Sequence, residues 1–327
     1  MSGPTVYVTL QQFCEHDERP RRLLEEAGFD IRLNTLGRRL RREELTEVLQ
    51  DADAVIAGVE PYDADLLTSL PRLRCISRCG VGTDSVDLDV ARRLGIAVYT
   101  TPDEVVEPVA QMTVAMILAL ARNFPLHVDD VRQGLWKKRS GCLLSDWTVG
   151  LVGFGRIGRM VECYLRVFHP RIIVADPNLS TKDMPPPVEW RPLSLLLAEV
   201  DVLSLHASRK VEEGALIGRN ELAMMKRGSY LVNTARGFLV DETALYDALC
   251  SGHLAGAALD VFESEPYAGP LLQLPNVLCT PHVATLTRAS RAKMEWRCAD
   301  NAVRHFAQRT VIDSDQTRIE ALKRGHR

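Results

Sequence analysis

Thr148-Val149-Gly150-Leu151-Val152-Gly153-Phe154-Gly155-Arg156-Ile157-Gly158 is the stretch from which the rest of the chain is read. Its first five residues are an apolar run of strand length, and a GxGxxG loop follows at once. Residues 159–168 carry a helical pattern, and Ile172-Ile173-Val174-Ala175 is a second apolar run ending on Asp176. Strand, glycine loop, helix, strand and acid form a βαβ unit suited to a dinucleotide; the same glycines without that frame would signal little. Gly153 serves the tight turn, Gly155 lets backbone approach a pyrophosphate, and Gly158 lets the helix lie close on the strand. The helix start at Arg156 and Ile157 offers phosphate its free N–H groups and the positive end of the dipole. Asp176 stands eighteen residues after Gly158, about the spacing at which an acid bonds the ribose hydroxyls.

A length of 327 residues suggests two domains. The net charge of −3 gives no basic surface, so no nucleic-acid partner is expected. Eight cysteines occur without a CxxC pair; Cys75 and Cys79 lack a second pair, so no metal site is expected, and buried thiols in a reducing cytoplasm are. The most apolar segment, 109–121, is interrupted by Gln111 and Thr113 and falls short of the ~20 residues that span a bilayer. Strand-like sequence begins directly after Met1-Ser2-Gly3-Pro4-Thr5, unlike a signal peptide. The expectation is a cytoplasmic chain with no membrane partner.

The N-terminal third alternates strands at 6–10, 54–57, 73–77 and 97–99 with helices such as 19–27 and 42–49, a small parallel sheet of its own. Its most informative loop is Arg78-Cys79-Gly80-Val81-Gly82-Thr83-Asp84, where glycines after a buried strand expose backbone N–H groups; a plain βα turn is an equal reading. A helix at 104–122, apolar nearly all round, is expected to be buried. The cluster Lys137-Lys138-Arg139 reads as a solvated face. Beyond Asp176, strands at 202–205, 229–232, 255–259 and 277–279 bring the central sheet to six, with helices at 193–198, 218–225 and 243–251 between them. A last helix at 289–308 is expected to return to the N-terminal domain, followed by a charged tail from Thr310.

Three strand ends carry reactive groups: Asn233-Thr234-Ala235-Arg236-Gly237, Asp260-Val261-Phe262-Glu263-Ser264-Glu265-Pro266, and Thr280-Pro281-His282-Val283-Ala284. In a parallel sheet these ends share the edge of the Gly153 loop. Each residue has a dull alternative alone, but an Arg, a Glu and a His at one edge are the set that reduction of a 2-oxo acid needs. Arg236 would hold the carboxylate by two parallel bonds. His282 would protonate the forming alkoxide. Glu265 would orient the imidazole and favour its charged form. Asp260 would lie beside the nicotinamide or support Arg236, and His206, with Ala207, would be a wall of the cofactor pocket.

These motifs, together with Gly80-Val81-Gly82-Thr83-Asp84-Ser85-Val86-Asp87 and Val240-Asp241-Glu242, resemble the D-isomer-specific 2-hydroxyacid dehydrogenase family, over about residues 50–305. The family includes D-3-phosphoglycerate dehydrogenase, glyoxylate/hydroxypyruvate reductase and D-lactate dehydrogenase. The resemblance implies two doubly wound parallel-sheet domains, a Rossmann NAD domain (102–286) inserted into a flavodoxin-like substrate domain (1–101 plus 287–327). It implies NAD as cofactor, a small 2-oxo or 2-hydroxy acid as substrate, and a homodimer. Arg236, Glu265 and His282 would be catalytic, and the loop at Val81 and Gly82 would contact the substrate carboxylate. The cofactor would lie along Gly153, Gly155, Arg156, Ile157, Gly158, Asp176, His206, Ala207, Thr234, Ala235, Arg236, Asp260 and His282.

Two departures stand out. Leu205-His206-Ala207-Ser208-Arg209-Lys210 replaces the usual Leu-His-x-Pro-Leu-Thr, which bears on NAD against NADP, and Gln111 stands where many relatives have Glu. Phosphite dehydrogenase shares the Arg-Glu-His set, whereas formate dehydrogenase has Gln at the position of Glu265. NAD-sensing corepressors share the fold and are the reading from a different class. Arg78, placed where D-3-phosphoglycerate dehydrogenases carry an Arg near the phosphate, is expected to read a second anionic group such as phosphate or phosphonate; a surface pair with Asp84 or Asp103 is the alternative.

Overall fold

Apolar runs bounded by glycine and polar turns pair as parallel strands, and the segments between them become the crossover helices that cover both faces. The structure, a computed structural model, describes residues 3–209 and 213–324, with side chains as far as residue 308. The chain divides into two units, Met1–Val105 with Thr287–Arg327, and Val106–Leu286.

In the first unit the strands are β1 (Thr5–Val8), β2 (Asp30–Leu33), β3 (Ala54–Ala57), β4 (Cys75–Arg78) and β5 (Ala97–Tyr99), all parallel in the order β2-β1-β3-β4-β5. That is the flavodoxin-like doubly wound order. The crossovers are α1 (Arg19–Glu26), α2 (Arg42–Val48), α3 (Ala64–Thr68) and α4 (Leu88–Arg93). Asp63 and Asp87 cap the last two, each carboxylate accepting the N–H three residues on, at 2.8 and 2.9 Å. Strand β2 goes beyond the sequence reading. It is an edge strand whose exposure alternates along Asp30-Ile31-Arg32-Leu33, a period-two pattern too short to stand out.

The second unit opens with α5 (Val106–Ala121) and α6 (Phe124–Arg132). It continues through β6 (Thr148–Val152), α7 (Arg156–Leu165), β7 (Arg171–Ala175), β8 (Glu189–Trp190), α8 (Leu193–Glu199) and β9 (Val202–Leu205). The remainder is α9 (Arg219–Met224), β10 (Ser229–Asn233), α10 (Glu242–Cys250), β11 (Leu254–Leu259) and β12 (Val277–Cys279). The sheet has seven strands rather than six, in the order β12-β11-β10-β9-β6-β7-β8. The strand missing from the sequence reading is β8, two residues long. Arg171 holds it through Glu189 at 2.8 Å, and the Trp190 indole N–H donates to the Asp176 carbonyl at 3.2 Å. Helix α6 was likewise unforeseen; it starts after Asn123, which takes the left-handed φ of 50°, with a Pro in its first turn. The basic cluster beyond it is exposed as expected, with Arg139 bonded to Asp130 at 2.9 Å.

Helix α5 buries half its sixteen residues and packs on α7 and against β10 and β11. Among the described residues no single helix is long and apolar enough to cross a membrane; α5 and α6 pass that test only as a pair bent by 65°. The final helix, α11 (Arg288–Arg324), packs on α1, β3 and β4 of the first unit. Phe306 meets Phe29 edge to face at 5.5 Å, and Arg297 bonds Glu104 at 3.1 Å. This helix outruns the expected 289–308 because neither glycine nor proline interrupts the sequence before Gly325.

Candidate active site

The carboxyl ends of β6 and β9 adjoin where the strand order reverses, the crevice in which such sheets take ligands. Gly153 has φ +91°, and a side chain there would meet the His206 carbonyl at 2.6 Å. One at Gly158 would meet the Gly153 carbonyl at 2.4 Å, while one at Gly155 would meet nothing within 4 Å. Two glycines are thus closed against protein and the middle one opens onto space before Arg156 and Ile157, the first residues of α7. That cradle fits a pyrophosphate.

At the tip of β7, Asp176 accepts the Phe154 N–H at 2.9 Å through Oδ2 and the Asn178 N–H at 2.9 Å through Oδ1. The acid is therefore tied to the glycine loop it serves. His206 Nε2 lies 2.9 Å from the Ser204 hydroxyl, and burial pushes the imidazole down to about 4, so it is neutral near pH 7 and lines rather than titrates. Arg209 is bound to Glu213 at 3.0 Å, and Lys210 lies outside the described residues. Gln111 is exposed and bonds Glu107 at 3.2 Å; nothing in the structure explains its replacement of Glu.

At the end of β10, Asn233 folds the next turn onto itself: its amide donates to the Arg236 carbonyl at 2.8 Å and its oxygen accepts the Ala235 N–H at 3.0 Å. Thr234 shares a hydroxyl hydrogen bond of 2.8 Å with Thr113 on α5. Arg236 Nη1 donates to the Ala235 carbonyl at 2.7 Å. Gly237 follows because a side chain there would strike the Phe262 backbone at 1.8 Å. The Arg236 turn is pressed onto the segment that carries Glu265. Glu242 fastens that segment from the other side, accepting the Glu263 N–H at 2.8 Å, and burial raises its carboxyl above the usual range.

Glu265 Oε1 accepts the Phe262 N–H at 3.1 Å, and its Oε2 lies 2.9 Å from His282 Nδ1. His282 takes φ 55°, and its side chain is 43% exposed, so the ring is held at one nitrogen and reachable from solvent. Asp260 has no exposed surface, and its carboxylate accepts the Thr280 Oγ1 hydrogen at 2.6 Å and the N–H groups of Val283 and Ala284 at 2.8 Å each. It thus stands behind the segment that carries His282. Asn233, Glu242 and Thr280 do supporting work that sequence reasoning missed, although their positions beside reactive strand ends were a usable signal.

In the first unit, Val81 is 41% exposed at the carboxyl edge of β4. Arg78 is turned inward, 8% exposed, with Nε donating to the Gly82 carbonyl at 2.7 Å and Nη1 to the Gly58 carbonyl. Glu60 takes the Gly58 N–H at 3.0 Å. Arg78 therefore braces the Gly80–Gly82 loop through its bond to Gly82. Among the described residues no group of three or more His, Cys, Asp or Glu side chains is placed to hold a metal.

Residues 114–284 match the model of the D-isomer specific 2-hydroxyacid dehydrogenase NAD binding domain. The chain is similar to a glyoxylate reductase of Aeropyrum pernix, 38% identical over 324 residues and 95% of each protein. It is 37% identical over 278 residues to a D-3-phosphoglycerate dehydrogenase of Mycobacterium tuberculosis, covering 84% of this chain but only 53% of that one. A crystal structure of a Thermus thermophilus protein superposes with a TM-score of 0.81 at 36% identity, over 90% of this chain and 94% of that one. The chain belongs to the D-isomer specific 2-hydroxyacid dehydrogenase family and is an NAD-dependent oxidoreductase acting on CH–OH groups.

Asp176 would repel a 2′-phosphate, and Arg209 is engaged with Glu213, so NADH should be favoured over NADPH. Steady-state kcat/KM for both cofactors checks this; equal values would refute it.

Proposed function

We propose that this chain reduces small, singly charged 2-oxo acids such as glyoxylate or hydroxypyruvate to D-2-hydroxy acids. The observation that carries the reading is the 2.9 Å contact between His282 Nδ1 and Glu265 Oε2 at the edge that also bears Arg236 and the glycine cradle. Bound NADH supplies the hydride. Arg236 grips the substrate carboxylate, and its planar cation polarises the neighbouring carbonyl. His282 donates a proton to the carbonyl oxygen as negative charge develops there, and Glu265 stabilises the charged imidazole that must be ready beforehand. Two donors of Arg78, Nε and Nη1, are engaged by the Gly82 and Gly58 carbonyls, which favours a small substrate over a phosphorylated one.

We further propose a cytoplasmic homodimer, joined through the 124–143 segment of the second unit, in which Phe124, Val131, Trp136 and Leu143 are 61%, 58%, 85% and 64% exposed. Exposed large apolar side chains concentrated in one segment mark a surface suited to a protein partner. Trp136→Glu should yield a folded monomer by light scattering, and an unchanged dimer would place the interface elsewhere.

His282→Ala should lose about 10²–10⁴-fold in kcat while its NADH affinity, read by fluorescence titration, stays put. Glu265→Gln should lose less, because the imidazole keeps its place but has lost its anionic partner. Near-normal kcat in His282→Ala would rule out the assigned proton donor. Arg78→Ala should raise KM by the same factor for glyoxylate and for a phosphorylated 2-oxo acid. A loss confined to the phosphorylated substrate would restore Arg78 as an anion reader.

A further inference from the structure

Strands β1 and β3 adjoin where the strand order of the first sheet reverses, and Thr9 and Gly58-Val59-Glu60 stand at their carboxyl ends. The usual partition is inverted in this loop: Val59 is 47% exposed, whereas Glu60 is only 3% exposed. A buried carboxylate is costly unless donors reach it. Here two converge on one oxygen, the Thr9 hydroxyl and the Gly58 N–H each donating to Glu60 Oε2 at 3.0 Å. Thr9 is wholly buried, and its own N–H donates to the Ile56 carbonyl at 3.0 Å, so the carboxylate is anchored to the sheet. Residue 58 has to be small beside it, since a side chain there would meet Oε2 at 3.0 Å and Oε1 at 3.2 Å. The carbonyl of Gly58 accepts Arg78 Nη1, and that of Val59 accepts Arg39 Nη2 at 2.7 Å. Arg78 Nε in turn donates to the Gly82 carbonyl at 2.7 Å. A continuous run of hydrogen bonds therefore leads from Thr9 and Glu60 through Gly58 and Arg78 to the Gly80–Gly82 loop, joining the ends of β1, β3 and β4.

We propose that Glu60 is a positioning residue for the oxo acid: by fixing Gly58 it fixes where Arg78 holds the Gly80–Gly82 loop, and so sets KM without touching substrate or cofactor. The effect on KM rests on the reading in which the Val81-Gly82 loop meets the substrate, whereas the tie between the loops stands without it. Because both bonds converge on Oε2, an amide oxygen in the same place can accept them, and Glu60→Gln preserves the tie. Glu60→Ala leaves the Gly58 N–H with Thr9 Oγ1 alone, at 3.2 Å, and releases the peptide to which Arg78 is bound.

The test is steady-state kinetics of the full chain with glyoxylate and NADH, in the native protein, Glu60→Ala, Glu60→Gln, Arg78→Ala and the double variant Glu60→Ala/Arg78→Ala. Glu60→Ala should raise KM for glyoxylate about tenfold, as expected for a lost buried hydrogen bond, with kcat and NADH affinity unmoved. Glu60→Gln should stay near the native KM. The double variant should be no worse than the worse single one, because both act through residue 58. Gly58→Ala displaces the carboxylate without deleting it and should raise KM in the same sense, which decides the matter if Glu60→Ala does not fold. A fall in kcat at unchanged KM, single effects that multiply in the double variant, or a Glu60→Gln as impaired as Glu60→Ala would each overturn the assignment. If the native protein turned over no 2-oxo acid, the proposed function would fall instead, and hydrogen exchange of peptides across 79–86 would still decide the tie. Exchange faster than native in both Glu60→Ala and Arg78→Ala supports it, and native exchange in Glu60→Ala overturns it.

Discussion

The buried carboxylate of Asp260 is the constraint on which the catalytic edge depends. An ionised carboxylate out of water is costly unless its oxygens are hydrogen-bonded. Here every donor comes from 280–284, at 2.6 to 2.8 Å, so the bonds that compensate the charge are the bonds that place His282. The same segment is joined to β11 by the Thr280 N–H, which donates to the Leu259 carbonyl at 2.9 Å. Five residues after Asp260, Glu265 folds back onto the Phe262 N–H and meets the imidazole. One strand end therefore supplies both the anchor of the proton donor and its anionic partner.

Around that anchor, close backbone approach carries the arrangement. Gly237 lets the Arg236 turn rest on the Phe262 backbone, and Gly153 and Gly158 let α7, β6 and the His206 carbonyl come together while Gly155 stays open. Side chains that would fill these contacts would separate the strand ends whose neighbourhood the chemistry needs. The work is divided between side chains that touch reactants and polar groups, buried or half-buried, that hold them: Asn233, Glu242 and Asp260 in the second unit, Arg78 and Glu60 in the first.

Much of this was legible before any coordinates. The strand–loop–helix–strand frame of 148–176 is local, and apolar runs ending in reactive residues located Arg236, Glu265 and His282 at one edge. Elements too short or too exposed to signal periodicity escaped, namely β2, β8 and α6. Directions of individual side chains escaped for a different reason. Arg78 is drawn inward by the carbonyl of Gly58, twenty residues earlier, and Asp260 is satisfied by N–H groups more than twenty residues later. No local pattern encodes such long-range satisfaction of buried donors and acceptors, and only the folded chain shows which partner each one finds.

The central claim is that this edge delivers a hydride to C2 of a 2-oxo acid while His282 delivers the proton. NADH deuterated on the transferred position, incubated with hydroxypyruvate, tests it most directly by mass spectrometry and chiral analysis of the product. The account predicts a D-2-hydroxy acid carrying one deuterium at C2, formed by the native protein and hardly at all by His282→Ala. An unlabelled product, an L product, or equal labelling by His282→Ala would contradict it.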